Sequence, residues 1–451
     1  YLDSPKSFFV MASVPSGDAE QTSEVSLGTS TSDLLDYQQY LKASNAGEGD
    51  NFGEELALSG DGRVLAVGVQ NEDSGEVTTP EDDEMTDSGA VYIYRDLENN
   101  GRWTQTGYLK ATTPVVNAYF GRSVSISQDG SRLAVGADNS ATVLDYDETT
   151  ERWSESYVAT SSSNNFGVDV ALSAIGGKTL VVGSSSENTA YVYQELETGW
   201  EEKAQLTTAS LDTDDQFGHY VVVSGDGSVI AISAPEEASG IVGDREDNSA
   251  PASGAIYTFR YNEAQAIWLE ESSSHLKLGT DEFVKFYCRA MVGGLSLDGS
   301  VLVGSCGAYN SDYAVTVYRY NSALALWETS ATLPKKSFTS KNVVLSGDGH
   351  TIAYNEQHYP GINRDQGIVL VYRYDAFNDV WNKRAAVTAA NAEDRDYFGY
   401  ADTAYFRHTT IALSDDGNTL AVGAKEEDGS ADGGLTEFDN DAPDSGAVYV
   451  F

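Results

Sequence analysis

Residues 58–68 read LSGDGRVLAVG. The same phrase returns as ISQDGSRLAVG (126–136), VSGDGSVIAIS (223–233), LSLDGSVLVGS (295–305), LSGDGHTIAYN (345–355) and LSDDGNTLAVG (413–423). Each copy sets an Asp-Gly pair ahead of a short apolar run. An acid flanked by small residues reads as half of a calcium loop. Asp-Gly is also favoured hairpin-turn chemistry, because both residues tolerate positive φ. The sequence on either side decides between the two.

Upstream, an aromatic-Gly pair opens each unit: NFGEELALS at Phe52, YFGRSVSIS at Phe120, NFGVDVALS at Phe166 and QFGHYVVVS at Phe217. Weaker copies lie near Phe286 and Tyr287 and at Phe338, and the last, at Phe398 and Gly399, is parted from its turn by an insertion at 400–407. Downstream comes a Tyr-rich strand, as in GAVYIYR from Gly89, GAIYTFRY from Gly254 and GAVYVF from Gly446, and then a strand opened by Trp. All six Trp residues (Trp103, Trp153, Trp200, Trp268, Trp327, Trp381) hold this one position, once per unit. Seven openings and six Trp strands leave one fourth strand missing. YLKAS from Tyr40 matches YLKAT from Tyr108, so a strand within 33–43 completes the last unit.

A repeat of this length, built of short strands that cannot bury both faces alone, predicts an all-β fold. It is a seven-bladed β-propeller of four-stranded antiparallel blades, closed by the N-terminal strand so that no sheet edge is left open. The blades fall near 52–111, 119–160, 165–208, 216–279, 286–335, 338–389 and 397–451 plus 33–43, with residues 1–32 as an N-terminal extension. Runs such as VLAVG are apolar at consecutive positions because both blade faces pack against neighbours. The Gly after Phe implies a close backbone approach. The Trp strand is placed outermost, with its indole N–H near water.

Composition excludes several functions. Seventy acids against 27 bases give a net charge of −43, a surface that repels nucleic acid and anionic lipid and favours cations or basic partners. No apolar run reaches membrane-spanning length. The chain opens on Tyr1, which reads as a processed chain or a piece of a longer one, and no N-x-S/T acceptor is present. In the extension, the patch from Phe8 to Met11 reads either as a contact element or as part of a loose linker.

Phe-Gly at the start of each unit, Val-Gly-Ala after the turn and Ser-Gly-Ala-Val-Tyr beyond it resemble the FG-GAP repeats of the integrin α-subunit propeller. They are still more similar to FG-GAP repeat proteins of marine microbes and algae. The resemblance covers about residues 33–451; units one, four and seven match best, and units five and six match weakly. It implies the propeller fold and a calcium loop of the form D-x-[DN]-x-D-G-x-x-D in the first hairpin. Here only the middle survives, as Asp61-Gly62, Asp129-Gly130, Asp226-Gly227, Asp298-Gly299, Asp348-Gly349 and Asp416-Gly417. In unit one the trailing positions are Val64 and Leu65, and one Asp per loop cannot supply the six to eight oxygens calcium takes. These stretches read as turns.

Cations have another place to go. Units one, four and seven carry acidic insertions between their second and third strands, starting at Asn71, Pro235 and Lys425. Each has an acidic pair after the strand and a second acidic cluster before Ser-Gly-Ala. Calcium between them, with no organic cofactor, would take ligands from Glu72, Asp73, Asp83, Asp87, Glu237, Asp244, Asp247, Glu427, Asp428, Asp439 and Asp441. A solvated loop that binds nothing is the plain alternative. Cys288 and Cys306 fall at the same end of one predicted hairpin. They fit a disulfide and an oxidising compartment, or two reduced buried thiols.

No catalytic motif is present, and the five His (His219, His275, His350, His358, His408) share no local pattern. The function expected is a non-enzymatic, extracellular or cell-surface binding and adhesion module. Its protein or glycan ligand would sit on a loop face, without nucleic acid or membrane insertion. The alternatives are a structural subunit of a larger assembly and, more weakly, a polysaccharide hydrolase or lyase.

Overall fold

The computed structural model describes residues 39–45, 47–75, 84–163, 165–209, 211–239, 248–278, 289–305, 313–335, 342–356, 367–389, 396–400, 409–428 and 443–451. They form seven antiparallel sheets of four strands each, and among them the one helix is a single 3-10 turn, Ser185–Glu187. In blade 1 the strands run Glu55–Leu58, Val64–Val69, Ala90–Arg95 and Thr104–Leu109 from the inside outwards. The inner strand of every blade touches that of the next, and the seventh returns to the first. Blade 7 consists of Ile411–Leu413, Leu420–Ala424, Ala447–Val450 and, outermost, the N-terminal strand Gln39–Leu41. Gln39 pairs with Val450 and Leu41 with Val448, so the predicted ring closure is present. The extension at 1–32 lies outside the described residues.

The repeated motifs explain how blades join. Each Phe of the Phe-Gly pair that is described is buried between blades; Phe52 meets the rings of Tyr92 and Tyr94 edge-on at 5.5 and 5.9 Å. Burying such a side chain stabilises the fold by about 2–3 kcal/mol. The following Gly lets one blade lie on the next. A methyl on Gly53 would strike the Ala447 carbonyl, and one on Gly423 would strike the Gly53 carbonyl. Gly68 stands in the same relation to Gly121, Gly136 to Gly167, and Gly183 to Gly218. The small residues of the second strand are therefore set by the neighbouring blade rather than by crowding at the axis.

The Asp-Gly phrase is a hairpin turn, closed by its own serine. Ser59 Oγ donates to Asp61 Oδ1 at 2.7 Å and accepts the Val64 N–H at 2.9 Å. Five other turns repeat the serine–aspartate bond. At Asp129, burial works against the charge, but the hydroxyls of Ser127 and Ser131 and the Ser131 N–H outweigh it and hold the carboxyl below its usual range.

The residue between that serine and aspartate builds a second structure. Gly60 N–H donates to Gln128 O, Gln128 to Ala174 O, Ile175 to Gly225 O, Gly225 to Leu297 O, Leu297 to Gly347 O, Asp348 to Asp415 O, and Asp415 back to Gly60 O, all at 2.7–3.0 Å. Seven turns thus form a closed circle of backbone hydrogen bonds around one mouth of the axis. Among the residues of the circle, side chains larger than Ala occur at Gln128, Ile175, Leu297, Asp348 and Asp415. A methyl on Gly60 or Gly347 would collide with Asp415, and Gln128 Nε2 donates to Asp415 Oδ2 at 2.7 Å.

At the rim, an Arg ending one blade's third strand stacks on the next blade's Tyr. Arg95 lies 4.0 Å from the Tyr146 ring, Arg260 4.0 Å from Tyr320 and Arg319 4.2 Å from Tyr374. Those tyrosines pair across strands with Trp153, Trp327 and Trp381. The Trp strands are outermost as expected, but the indole N–H groups do not reach for water. Trp327 donates to Glu271 at 2.8 Å and Trp268 to Gly227 O at 3.4 Å, while those of Trp153, Trp200 and Trp381 are buried without an acceptor. Packing the ring under the neighbouring blade's arginine takes precedence over wetting its edge.

Candidate functional site

The acidic insertions leave the ring at the end of each blade that carries the Phe-Gly pair. The structure shows what holds their bases. Glu72 follows the second strand of blade 1, Ser88 precedes the third, and Lys110 follows the outer strand. Lys110 Nζ donates to Glu72 Oε2 at 2.6 Å and to Ser88 Oγ at 2.7 Å. Ser88 Oγ in turn donates to Ser74 O at 2.8 Å, and Gly89 N–H to Glu72 O at 2.9 Å. Both ends of the insertion are thereby zipped together beneath it.

Blade 4 repeats the arrangement with Lys277, Glu237 and Ser253: Lys277 lies 2.5 Å from Glu237 Oε2 and 2.7 Å from Ser253 Oγ. Blade 7 repeats it with Lys42, Glu427 and Ser445, at 2.8 and 2.6 Å. Here the lysine arrives from the N-terminal strand, 385 residues away from its acid along the chain. Two residues before each lysine stands an aromatic side chain that joins the same network. Tyr40 OH donates to Glu427 Oε2 at 2.8 Å, Tyr108 OH bonds Ser74 Oγ, and His275 Nε2 lies 3.0 Å from Ser239 Oγ.

A second acid recurs two residues ahead of Phe in the same three blades: Asp50, Asp215 and Asp396, all buried. Burial pushes the Asp215 carboxyl up to about 6; the Asp212 N–H opposes the rise, and the Glu237 and Asp212 charges add to it. Glu237 moves the other way. Burial opposes its charge, yet hydrogen bonds from His275, Lys277 and Ser239, with the Lys277 charge, hold it down at about 2. A carboxyl raised in the folded state contributes stability that is intact at low pH and lost as pH rises through the folded value. Relative to the native chain, Asp215→Asn is therefore expected to gain on the order of 2 kcal/mol between pH 4 and pH 7, and no more above that. Urea unfolding of both proteins across that range checks it.

The expected ligand set divides accordingly. Like charges at the insertions were expected to need a counter-cation; at Glu72, Glu237 and Glu427 a lysine ammonium stands in that place. Asp73 Oδ1 accepts the Asp87 N–H at 2.7 Å and Asp428 Oδ1 the Asp444 N–H at 2.9 Å. The carboxyls of Asp87 and Asp444 are raised, first by burial and then by Asp73 and Asp428. Asp83, Asp244, Asp247, Asp439 and Asp441 lie outside the described residues, as do Cys288 and Cys306. Among the described residues no group of three or more His, Cys, Asp and Glu is placed to hold a metal ion. Sequence reasoning had noticed the two YLK copies as a strand match and missed their charge. The signal available was that the Lys of Y/H-L-K occurs in the same three units as the insertions.

The axis holds the second feature, a cavity of about 250 Å³ walled by the inner strands. The inner edge of each inner strand lacks a partner strand, and polar side chains from the adjacent blade satisfy part of it. Glu55 accepts N–H groups from Thr409 at 2.7 Å and Val124 at 3.5 Å. Asp169 accepts that of Val221 at 2.7 Å and the Ser123 hydroxyl at 2.9 Å, and Ser125 Oγ accepts that of Leu172 at 2.9 Å. Burial pushes the Glu55 carboxyl well above the ordinary range, against those two N–H groups, and the charges of Asp169 and Glu54 push it further.

A closed seven-bladed ring with repeated Phe-Gly interfaces and an axial cavity defines a β-propeller. The FG-GAP repeat model matches residues 36–94, from the closing strand into the third strand of blade 1, so that stretch carries an FG-GAP repeat. Among curated proteins, none matches by sequence. Among solved structures, the chain is similar to a protein from Lactobacillus plantarum (TM-score 0.51, 13% identity, covering 74% of this chain and 85% of that one). It is also similar to a candidate 6-phosphogluconolactonase from Bacteroides uniformis (0.50, 10%, 75% and 85%) and to the periplasmic gluconolactonase of Pseudomonas aeruginosa (0.49, 16%, 75% and 85%). At these identities the likeness is one of fold. Among the described residues no helix is long and apolar enough to cross a membrane.

Proposed function

We propose that this propeller is a non-enzymatic binding module, working outside the cell or at its surface, that holds a positively charged protein partner against the face bearing the three acidic insertions. The observation that carries the reading is the buried lysine–glutamate–serine base under each insertion, which fixes the ends of three acidic insertions to one side of a closed ring. A net charge of −43 supplies the long-range attraction for a basic partner. Calcium, in this reading, has its place at the outer acids such as Asp73 with Asp87 and Asp428 with Asp444, since the inner ones face lysine. A thermal midpoint raised by calcium and returned by chelator is the expected sign.

The binding test uses the full chain on a sensor surface with poly-L-lysine as probe. Replacing residues 240–247 and 429–442 by short Gly-Ser turns is expected to weaken binding at least tenfold at 0.15 M salt. Affinity unchanged by the replacement sinks the reading. A lactonase reading draws on the fold neighbours alone. The axial lining counts against a phosphorylated substrate, because among the described residues it offers Glu55 and Asp169 and no Lys, Arg or His. Incubation with 6-phosphogluconolactone is expected to give no turnover above the spontaneous rate.

A further inference from the structure

We infer that the outer corner of blades 5 and 6, at the end of the ring opposite the insertions, is an interface for a second copy of this chain, met across a two-fold axis. The third and fourth strands of each blade turn into one another there. In blade 5 the turn joins Tyr313–Asn321 to Leu326–Lys335, and in blade 6 it joins Ile368–Asp375 to Val380–Val387. Both turns hold an apolar side chain out to solvent. Phe377 is 96% exposed, the most of any large hydrophobic among the described residues, and Leu324 is 60% exposed. Val380 adds a third exposed apolar group at the foot of the Phe377 turn. Side-chain hydrogen bonds shape both turns. Asp375 Oδ1 accepts the N–H groups of Phe377 and Asn378 at 3.0 and 3.2 Å, and Asn321 Oδ1 accepts those of Ala323 and Leu324 at 3.1 and 3.3 Å. Arg319, stacked 4.2 Å from the Tyr374 ring, ties the base of one turn to the base of the other. Apolar groups held out together in this way mark a contact surface.

Charge selects the occupant. Residues 286–389, which span blades 5 and 6, hold nine Lys and Arg against eight Asp and Glu, whereas the rest of the chain holds 18 against 62. Two copies repel each other wherever acidic sectors meet, and this sector is the one where they can close. The equivalent turns of blades 2 and 3 carry Glu148, Glu151 and Glu197. The corner itself bears both signs: Lys383 and Arg384 are exposed on the outer strand of blade 6, and Arg384 lies within Coulomb reach of Asp375 in the turn, with Asp379 exposed four residues on. A uniformly acidic or basic partner matches half of such a patch. A two-fold contact sets one copy's Lys383 and Arg384 against the other's Asp375 and Asp379, with the apolar turns between them, so the patch complements itself. The insertion face of each copy stays open, and the test leaves the reading of that face untouched.

The experiment is sedimentation equilibrium of the full chain at 0.15 M salt across the micromolar range. Monomer and dimer in exchange are expected, with no larger species. Phe377→Asp is expected to weaken the dimer at least tenfold, and so is the pair Lys383→Glu with Arg384→Glu, while circular dichroism stays native. Leu97→Asp, which changes an exposed leucine at the equivalent turn of blade 1, is expected to leave the dimer as it was. A chain that is monomeric at every concentration, a mass that grows past the dimer, a dimer untouched by Phe377→Asp, or one weakened equally by Leu97→Asp overturns the proposal. A monomer that sediments with phosphatidylcholine vesicles, and no longer does so as Phe377→Asp, overturns it too and gives the corner to a lipid surface.

Discussion

Lys42→Met is expected to destabilise the ring by about 3–5 kcal/mol, the cost of leaving a buried carboxylate without its partner. Lys42 is the counter-charge of Glu427 and also donates to Ser445 Oγ and, at 2.7 Å, to Gly446 O. It therefore holds the N-terminal strand to the third strand of blade 7 by more than three residues of sheet pairing. The same strand leads to Asn45, which accepts the Tyr92 hydroxyl at 2.7 Å and donates to Glu72 at 3.2 Å, so its hold extends into blade 1. A paired substitution, Lys42→Met with Glu427→Leu, is expected to recover most of the loss, because an apolar pair of similar size carries no desolvation cost. Urea unfolding of the two single variants and the double variant measures the coupling. A Lys42→Met protein as stable as the native one would show that strand pairing alone closes the ring.

Gly423→Ala is expected to cost about 3 kcal/mol or more, although it adds one methyl in a strand where alanine is otherwise acceptable. That methyl would lie on the Gly53 carbonyl, and Gly53 has little room to retreat, because the space a methyl on its own α-carbon would take is already filled by the Ala447 carbonyl. The contact is backbone on backbone at the junction of blades 7 and 1, where no rotamer can change to make room. Gly101→Ala provides the contrast. That residue has φ 80° and nothing within 4 Å of an added methyl, so it reports backbone strain without crowding, on the order of 1 kcal/mol. A difference of less than 1 kcal/mol between the two variants in thermal or urea unfolding would refute the interface argument.

The fold was readable from the sequence because each blade is made by neighbours in the chain. The Phe-Gly opening, the Asp-Gly turn and the Trp strand lie within about sixty residues of each other, and hairpin chemistry is local. Even the closing strand announced itself, since YLKAS and YLKAT sit in equivalent places. The site was less legible. Glu427 and Lys42 meet across the seam of the ring, and nothing in the spacing of an acidic loop says whether its counter-charge is an ion from solution or a lysine from another strand. The circle of turn hydrogen bonds is made by backbone groups and has no residue signature beyond the need for small side chains at Gly60, Gly225 and Gly347. The indole N–H groups were misplaced for a related reason. The arginines over Trp153 and Trp200, Arg95 and Arg132, belong to the preceding blades, so the local sequence suggests an edge open to water where the assembled ring has none.

The direction of the closing strand has a mechanical consequence. Gln39 lies opposite Val450 and Leu41 opposite Val448. The chain therefore enters the ring and reaches Phe451 at the same corner of blade 7. A load applied between those two points does not shear the strand along its length. It lifts Gln39 first and breaks the pairs one at a time toward Lys42, as a zipper opens. Blade 7 is thus the place where tension would open the ring, and the lysine at the far end of that short strand is the last fastening to give way.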